Sequence, residues 1–104
     1  MYFLTALPAI LLKLAKESEK LGAKAVLLEC ITADTAKLIT ENISIPTIGI
    51  GASRYCDGQV LVFDDLINLS TNDNKPRFVK NYFNLNKIAS NVVEKYNREV
   101  KLKK

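Results

Sequence analysis

Glu29 and Cys30 close the run "AVLLEC", a carboxylate and a thiol set directly after four apolar residues. A carboxylate after apolar residues can be a chance surface residue, a charge at the start of the next helix, or a catalytic base. All three readings stay open on the residues alone. The 104 residues include no histidine, which removes serine–histidine and cysteine–histidine nucleophiles unless a partner supplies the imidazole. Cys30 and Cys56 are the only cysteines. Two thiols cannot cage a metal by themselves, and they read as reduced, buried, inert groups of a cytoplasmic protein. Asp57, Asp64 and Asp65 invite comparison with a cation site, but loop aspartates more often cap turns and helices. No metal ligand is therefore assigned. Gly49 and Gly51 in "GIGASR" would let a backbone approach an anion; close strand–helix packing explains them at least as well. The third glycine of a dinucleotide fingerprint is missing.

These residues need elements to position them. "MYFLTALPAILLKLAKESEK" lacks the basic start of a signal peptide and reads as an amphipathic helix. Thr5 is expected to cap it, with Pro8 in its first turn and Gly22 at its end. Its apolar face is read as Ile10, Leu11, Leu14, Ala15 and Leu21. "KAVLLE" follows as a strand of the kind buried on both faces of a parallel sheet. Side-chain alternation places Ala25, Leu27 and Glu29 on one face, Val26 and Leu28 on the other. Thr32 or Asp34 opens a second helix with Ala36 and Ile39 inward. "IPTIGIGA", with Pro46 at its first residue, and "GQVLVF" are two further strands. Only about eight residues separate Ala52 from Val60, where a parallel crossover normally needs a dozen or more. The link is thus tight, or holds a single helical turn. "DDLINLSTNDN" reads as a loop and Pro76 as the start of a helix through "PRFVKNYF". Asn86 is expected to cap the C-terminal helix within 84–104, striped by Ile88, Val92, Tyr96 and Val100. Alternating helices and strands in one small domain, residues 1–104, point to an α/β fold with a parallel sheet.

Charge and hydropathy exclude some functions. The net charge is +4, but the lysines are scattered and cluster only in "KLKK", so no nucleic-acid partner is expected. No apolar run is long enough for a membrane helix, and no membrane partner is expected.

"VLLECITADTAKLITENISIPTIGIGASRYCDGQVLVFDDL", with "KPRFVKNY" further on, resembles the C-terminal part of the ketopantoate (3-methyl-2-oxobutanoate) hydroxymethyltransferase family of pantothenate and coenzyme A biosynthesis. The matching residues are Leu28-Glu29-Cys30, Ile45 through Ala52, Cys56 through Val62, and Pro76 with Phe78-Val79-Lys80. Their order and spacing agree over roughly residues 15 to 100. The resemblance implies a (β/α)₈ barrel of the phosphoenolpyruvate/pyruvate-like type. Such barrels need about 250 residues, so the chain would supply the last three strands with their helices and lack the earlier ones. "MYFLTALPA" does not match the family and is read as a new start inside a longer ancestral gene.

The activity implied is transfer of a one-carbon unit from 5,10-methylenetetrahydrofolate to a small keto acid, 3-methyl-2-oxobutanoate, giving 2-dehydropantoate. In the family, magnesium held by aspartates of early strands stabilises the enolate, and a glutamate in the "LE[CG]" stretch is the base. Glu29 falls on that position. It also stands at a strand's C-terminal end, where barrels keep their active sites, and an apolar strand end would partly desolvate it. The magnesium ligands and substrate-binding residues have no counterpart here, so the implied partners are a complementing N-terminal chain and the oligomer usual in the family. Many members carry glycine where Ser53 stands, histidine–aspartate where Asp64-Asp65 stands, and glycine near Asn68. These departures suit the alternative of a non-catalytic remnant or interaction module. A sheet cut from a closed barrel should leave Leu27, Ile48 and Leu61 only half buried.

Overall fold

Apolar residues spaced for helices and then for strands succeed one another from the start of the chain. The structure is a computed structural model and describes residues 2–69 and 76–104. Helix α1 (Tyr2–Lys20) leads to strand β1 (Val26–Glu29), helix α2 (Ala33–Asn42), strand β2 (Thr47–Ile50) and the short strand β3 (Gly58–Gln59). Helices α3 (Phe63–Leu66) and α4 (Leu85–Lys101) follow. The three strands form one sheet in the order β1-β2-β3, parallel throughout, so the α/β class holds. Two compact units divide at Val60 and Leu61.

In the first unit the register pairs Val26 with Thr47 and Leu28 with Gly49, then Leu27 with Ile48 and Glu29 with Ile50. Paired residues of a parallel ladder share a face, and the two faces differ. Leu28 joins Ala15, Ala36, Ile39, Ala52 and Cys56 in the core, with Leu11, Leu12 and Val26 packed against it. Leu27 on the other face is 59% exposed, while Ile48 is half-buried. β1 is therefore buried on one face, not on both as its apolar run suggested. Leu61, in the second unit, is half-buried as well. Within the first unit, among the described residues, the sheet face bearing Leu27 and Glu29 is open.

Several boundaries differ from the sequence reading. α1 already runs through Thr5 and carries Pro8 in its interior, so Thr5 is not its cap; a helix tolerates proline for the loss of one backbone bond. Its inward face centres on Leu11 and Ala15, which leaves Ile10 and Leu14 exposed. Leu21 lies beyond the last turn and is 88% exposed. Thr32 does cap α2, accepting from the Thr35 N–H, and Ala36 and Ile39 are buried as expected. β3 is shorter than "GQVLVF", although the Val60 N–H still donates to the Gly49 carbonyl at 3.0 Å. No further strand covers its far edge among the described residues, and Val60 and Val62 are exposed.

The second unit corrects three more readings. "FDDL" is a short helix, not loop, and residues 70–75 of the expected loop lie outside the described residues. Pro76 begins a single turn closed by the Val79 N–H on its carbonyl, 3.0 Å, and no helix runs through residues 77–83. Asn84, not Asn86, caps α4 by accepting from the Lys87 N–H at 3.0 Å. Both asparagines flank Leu85, and the non-helical backbone at Asn84 (φ −127, ψ 77) decides between them. The α4 stripe of Ile88, Val92, Tyr96 and Val100 is exposed.

Polar bonds fix the helices to the sheet. Thr47, the first residue of β2, is wholly buried. Its N–H donates to Asp57 Oδ2 (2.9 Å), its Oγ1 accepts from the Asp57 N–H (3.1 Å), and its Oγ1 meets Thr40 Oγ1 on α2 at 2.8 Å. On the last turn of α1, Glu19 accepts from the Ser44 hydroxyl and from the Ser44 N–H (2.8 Å). The Ser44 hydroxyl first, and its N–H second, hold the Glu19 carboxyl below the ordinary glutamate range. A carboxyl lowered in the folded state stabilises above the unfolded value, about 4.3, and loses that contribution as pH falls through its folded value. Thermal melts stepped downward from pH 7 should show an acid limb that Glu19→Gln flattens. An identical acid limb in the variant would remove Glu19 as its source.

Candidate active site

In open α/β sheets ligands bind beyond the carboxyl ends of the strands. Here that end is made by Glu29 of β1, its neighbour Ile50 of β2, and the segments leaving them. The sequence keeps this end compact by reversing the chain abruptly. Cys30 adopts φ +52, and its N–H donates to the Ile50 carbonyl at 3.1 Å. The chain then enters α2 through the Thr32 cap. A left-handed residue immediately after Glu29 is one that glycine fills without strain, which accounts for a "LE[CG]" alternation. Cys30 is exposed, against the expectation of a buried thiol, because this turn points it away from the core; Cys56 is buried as expected.

Glu29 lies on the open face of the sheet and is exposed. The desolvation anticipated for it is therefore not provided by the described residues of the first unit, none of whose elements covers that face. Beside it, a recess of about 240 Å³ runs along β1, lined by Leu11 and Leu14 of α1 and by Leu27, Glu29 and Ile31.

The other candidates separate from Glu29. Asp57 is bonded to Thr47, the first residue of β2, whereas Glu29 pairs with the last. Its carboxylate thus serves the opposite end of the sheet. Asp64 and Asp65 belong to α3 of the second unit. Among the described residues, no group of three or more histidine, cysteine, aspartate or glutamate side chains could hold a metal ion. Gly49 does not form an open anion cradle. A Cβ there would meet Cys56 Sγ at 2.8 Å and Gln59 Oε1 at 3.3 Å, so packing explains this glycine.

The structure also brings together residues that sequence spacing did not connect. Lys37 Nζ of α2 and the Arg54 guanidinium each lie 5.4 Å from the centre of the Tyr55 ring, just beyond the end of β2. They stand seventeen positions apart in sequence, and no periodicity joins them. Gly51 at φ +62 and Ser53 at φ +119 turn the chain here. The Tyr55 N–H donates to Ser53 Oγ (3.2 Å), and Gln59 Nε2 donates to the Ser53 carbonyl (2.6 Å). Ser53 occupies backbone that suits glycine, the residue many members of the resembling family carry there, and Asn68 at φ +54 is the same case in milder form.

Two substitutions probe this packing. Gly49→Ala should cost about 1–3 kcal/mol through overpacking, and adding Cys56→Ala should recover part of that loss in denaturant melts. Ser53→Gly should stabilise by about 1 kcal/mol through relief of backbone strain. Ser53→Ala keeps the strain, loses the hydroxyl bond and should destabilise. Equal midpoints for the two Ser53 variants would count against strain at this position.

Comparison with known proteins supplies the remaining finding. A family model described as Ketopantoate hydroxymethyltransferase matches residues 6–104. The 3-methyl-2-oxobutanoate hydroxymethyltransferase of Thermotoga maritima is 52% identical over 91 residues, which is 88% of this chain and 33% of that protein. The Thermosipho melanesiensis enzyme of the same name is 52% identical over 82% of the chain, and the Clostridium botulinum enzyme 48% over 84%. The chain spans about a third of the length of these curated relatives.

Proposed function

The chain belongs to the ketopantoate hydroxymethyltransferase family, and from that premise we propose that it carries the closing strands of a (β/α)₈ barrel with Glu29 as general base. In this reading residues 1–104 are one C-terminal portion of the barrel. The substrate is 3-methyl-2-oxobutanoate and the one-carbon donor is 5,10-methylenetetrahydrofolate. The observation that carries it is the position of Glu29. It is a carboxylate on the open sheet face, at the carboxyl end of β1, within the family's matched segment.

The chemistry asked of Glu29 is proton transfer. Its carboxylate takes the proton from the carbon next to the ketone, and the electron pair left behind forms the new carbon–carbon bond to the one-carbon unit as one of that unit's two bonds to folate nitrogen breaks. The other is then exchanged for the oxygen of a water, giving the hydroxymethyl group and releasing tetrahydrofolate. Such a base works best when partly dry. The chain's own residues leave Glu29 exposed, so the remaining strands have to close over the sheet face. The magnesium implied by the family does not fit the described residues. They offer no convergent set of three donors, and Asp57 is engaged by Thr47. This chain's share of the reaction is thus the proton transfer and the positioning of Glu29 through Cys30 and the β1–β2 ladder.

The same exposure of Glu29 favours a second reading, a non-catalytic remnant or interaction module. One experiment separates the two. Mixed with a chain supplying the earlier strands, the protein should give magnesium-dependent turnover, and Glu29→Gln should lower it by about 100-fold or more. Turnover that survives Glu29→Gln refutes the assignment of the base. Absence of turnover from a folded complex supports the non-catalytic reading.

A further inference from the structure

Two cations are gathered round one aromatic ring without a firm anionic partner. Lys37 Nζ and the Arg54 guanidinium each lie 5.4 Å from the centre of the Tyr55 ring. Such contacts hold an exposed cation only weakly, and the two like charges repel each other. Glu41, one helical turn on, reaches Lys37 only at 4.0 Å, with the two side chains 52% and 62% exposed. A pair so open to solvent is easily replaced. Arg54 makes no ion pair among the described residues. The turn that carries Arg54 and Tyr55 is fixed from two sides. The Tyr55 N–H donates to Ser53 Oγ (3.2 Å), and Gln59 Nε2 donates to the Ser53 carbonyl (2.6 Å). Ser53 holds φ +119 there, a strained backbone of the kind that clusters at ligand sites.

The cluster and Glu29 flank the carboxyl end of the sheet from different faces. Arg54 lies four positions past Ile50, the ladder partner of Glu29. Glu29 belongs to the open face, whereas Lys37 belongs to α2, which packs on the other face through Ala36 and Ile39. A keto acid of a few carbons, seated with its reacting carbon at Glu29, is too short to round the strand ends to the helix layer. A folate is long enough. Its one-carbon end and its glutamate tail are separated by a p-aminobenzoyl linker, and each further glutamate adds a carboxylate. We propose that Lys37, Arg54 and Tyr55 form the subsite for the glutamate tail of the folate donor. The proposal deepens the function above and rests on it for the identity of the ligand. Arg54 presents a planar fork to one carboxylate, and Lys37 presents a point charge to another, displacing Glu41. The Tyr55 ring lies against the methylene stem between them. Inorganic phosphate, a compact anion, has no stem to lay on the ring.

Titration of the full chain, followed through the amide resonances of Lys37 and of Ser53 to Tyr55, tests the proposal. The probes are p-aminobenzoyl-triglutamate, its monoglutamate form and inorganic phosphate. The triglutamate should shift these resonances to saturation and bind at least about threefold more tightly than the monoglutamate. Arg54→Gln and Lys37→Gln each change an exposed side chain. Both should leave the thermal melt unchanged and weaken triglutamate binding by about fivefold or more, and Arg54→Lys should restore part of the loss. Absence of shifts at these residues, binding that ignores tail length, or binding indifferent to both substitutions overturns the proposal. Phosphate binding as tight as that of the triglutamate also overturns it, in favour of a simple anion site. In the assembly that turns over, a triglutamylated donor should show a lower KM than the monoglutamylated one. Arg54→Gln should erase that difference and leave kcat near the parent value. Turnover with a KM that ignores tail length overturns the subsite and leaves Glu29 as the base. Triglutamate binding without turnover from a folded assembly leaves the subsite standing and counts against the proposed function.

Discussion

Thr47 is the residue on which the first unit turns. Its backbone and hydroxyl tie the start of the central strand to the link before β3 through Asp57, and to α2 through Thr40. Thr40 in turn donates to the Ala36 carbonyl within its own helix at 2.7 Å. A wholly buried hydroxyl without partners would be a liability of a few kcal/mol. Here each contact also fixes a direction. α2 cannot slide along β2, and the short link cannot swing away from it. With β2 pinned at its first residue, its last residue, Ile50, is where the Cys30 amide and the Glu29 side chain find it. The geometry of the carboxyl end is thus set from the opposite end of the sheet.

That arrangement explains why the aspartates divide as they do. Asp57 looks like a candidate ligand when the sequence is read as a string of acids, yet it is the partner of a buried strand start. Glu29 has the opposite history. Its neighbours in sequence are apolar and suggest a dry site, while the open sheet face leaves it in solvent. Burial of a strand residue is decided by what covers its face, and for Glu29 and Leu27 that cover is not among the described residues.

Much of the first unit was legible in the sequence because its signals are local. The Thr32 cap, the inward Ala36 and Ile39, the alternation along β1 and the strand after Pro46 all follow from spacing and turn chemistry. What was not legible depends on neighbours. Leu14 and Ile10 satisfy a helical period as well as Leu11 does, and only the position of the sheet decides which of them turn inward. "GQVLVF" has a strand's composition, but with no strand on its far side among the described residues, pairing stops soon after Gln59. The choice between Asn84 and Asn86 rests on a backbone angle that neither side chain encodes. At the site, Glu29 was legible through its motif, whereas the Lys37–Arg54–Tyr55 cluster joins distant segments and left no pattern. The family resemblance singled out Ser53 and Asn68, and the structure adds the reason, since both sit in left-handed backbone.

The clamp between Thr47 and Asp57 has a kinetic consequence. It spans ten residues, whereas the tie between Glu19 and Ser44 spans twenty-five. Loop-closure entropy rises with separation, and segments of about ten residues close within roughly 10–100 ns. The central strand can therefore meet the link to β3 before α1 has found its place, giving the nascent sheet a nucleus of low contact order. The strand bearing Glu29 joins that nucleus from outside. Its far edge takes no part in that nucleus and, among the described residues, stays open to water.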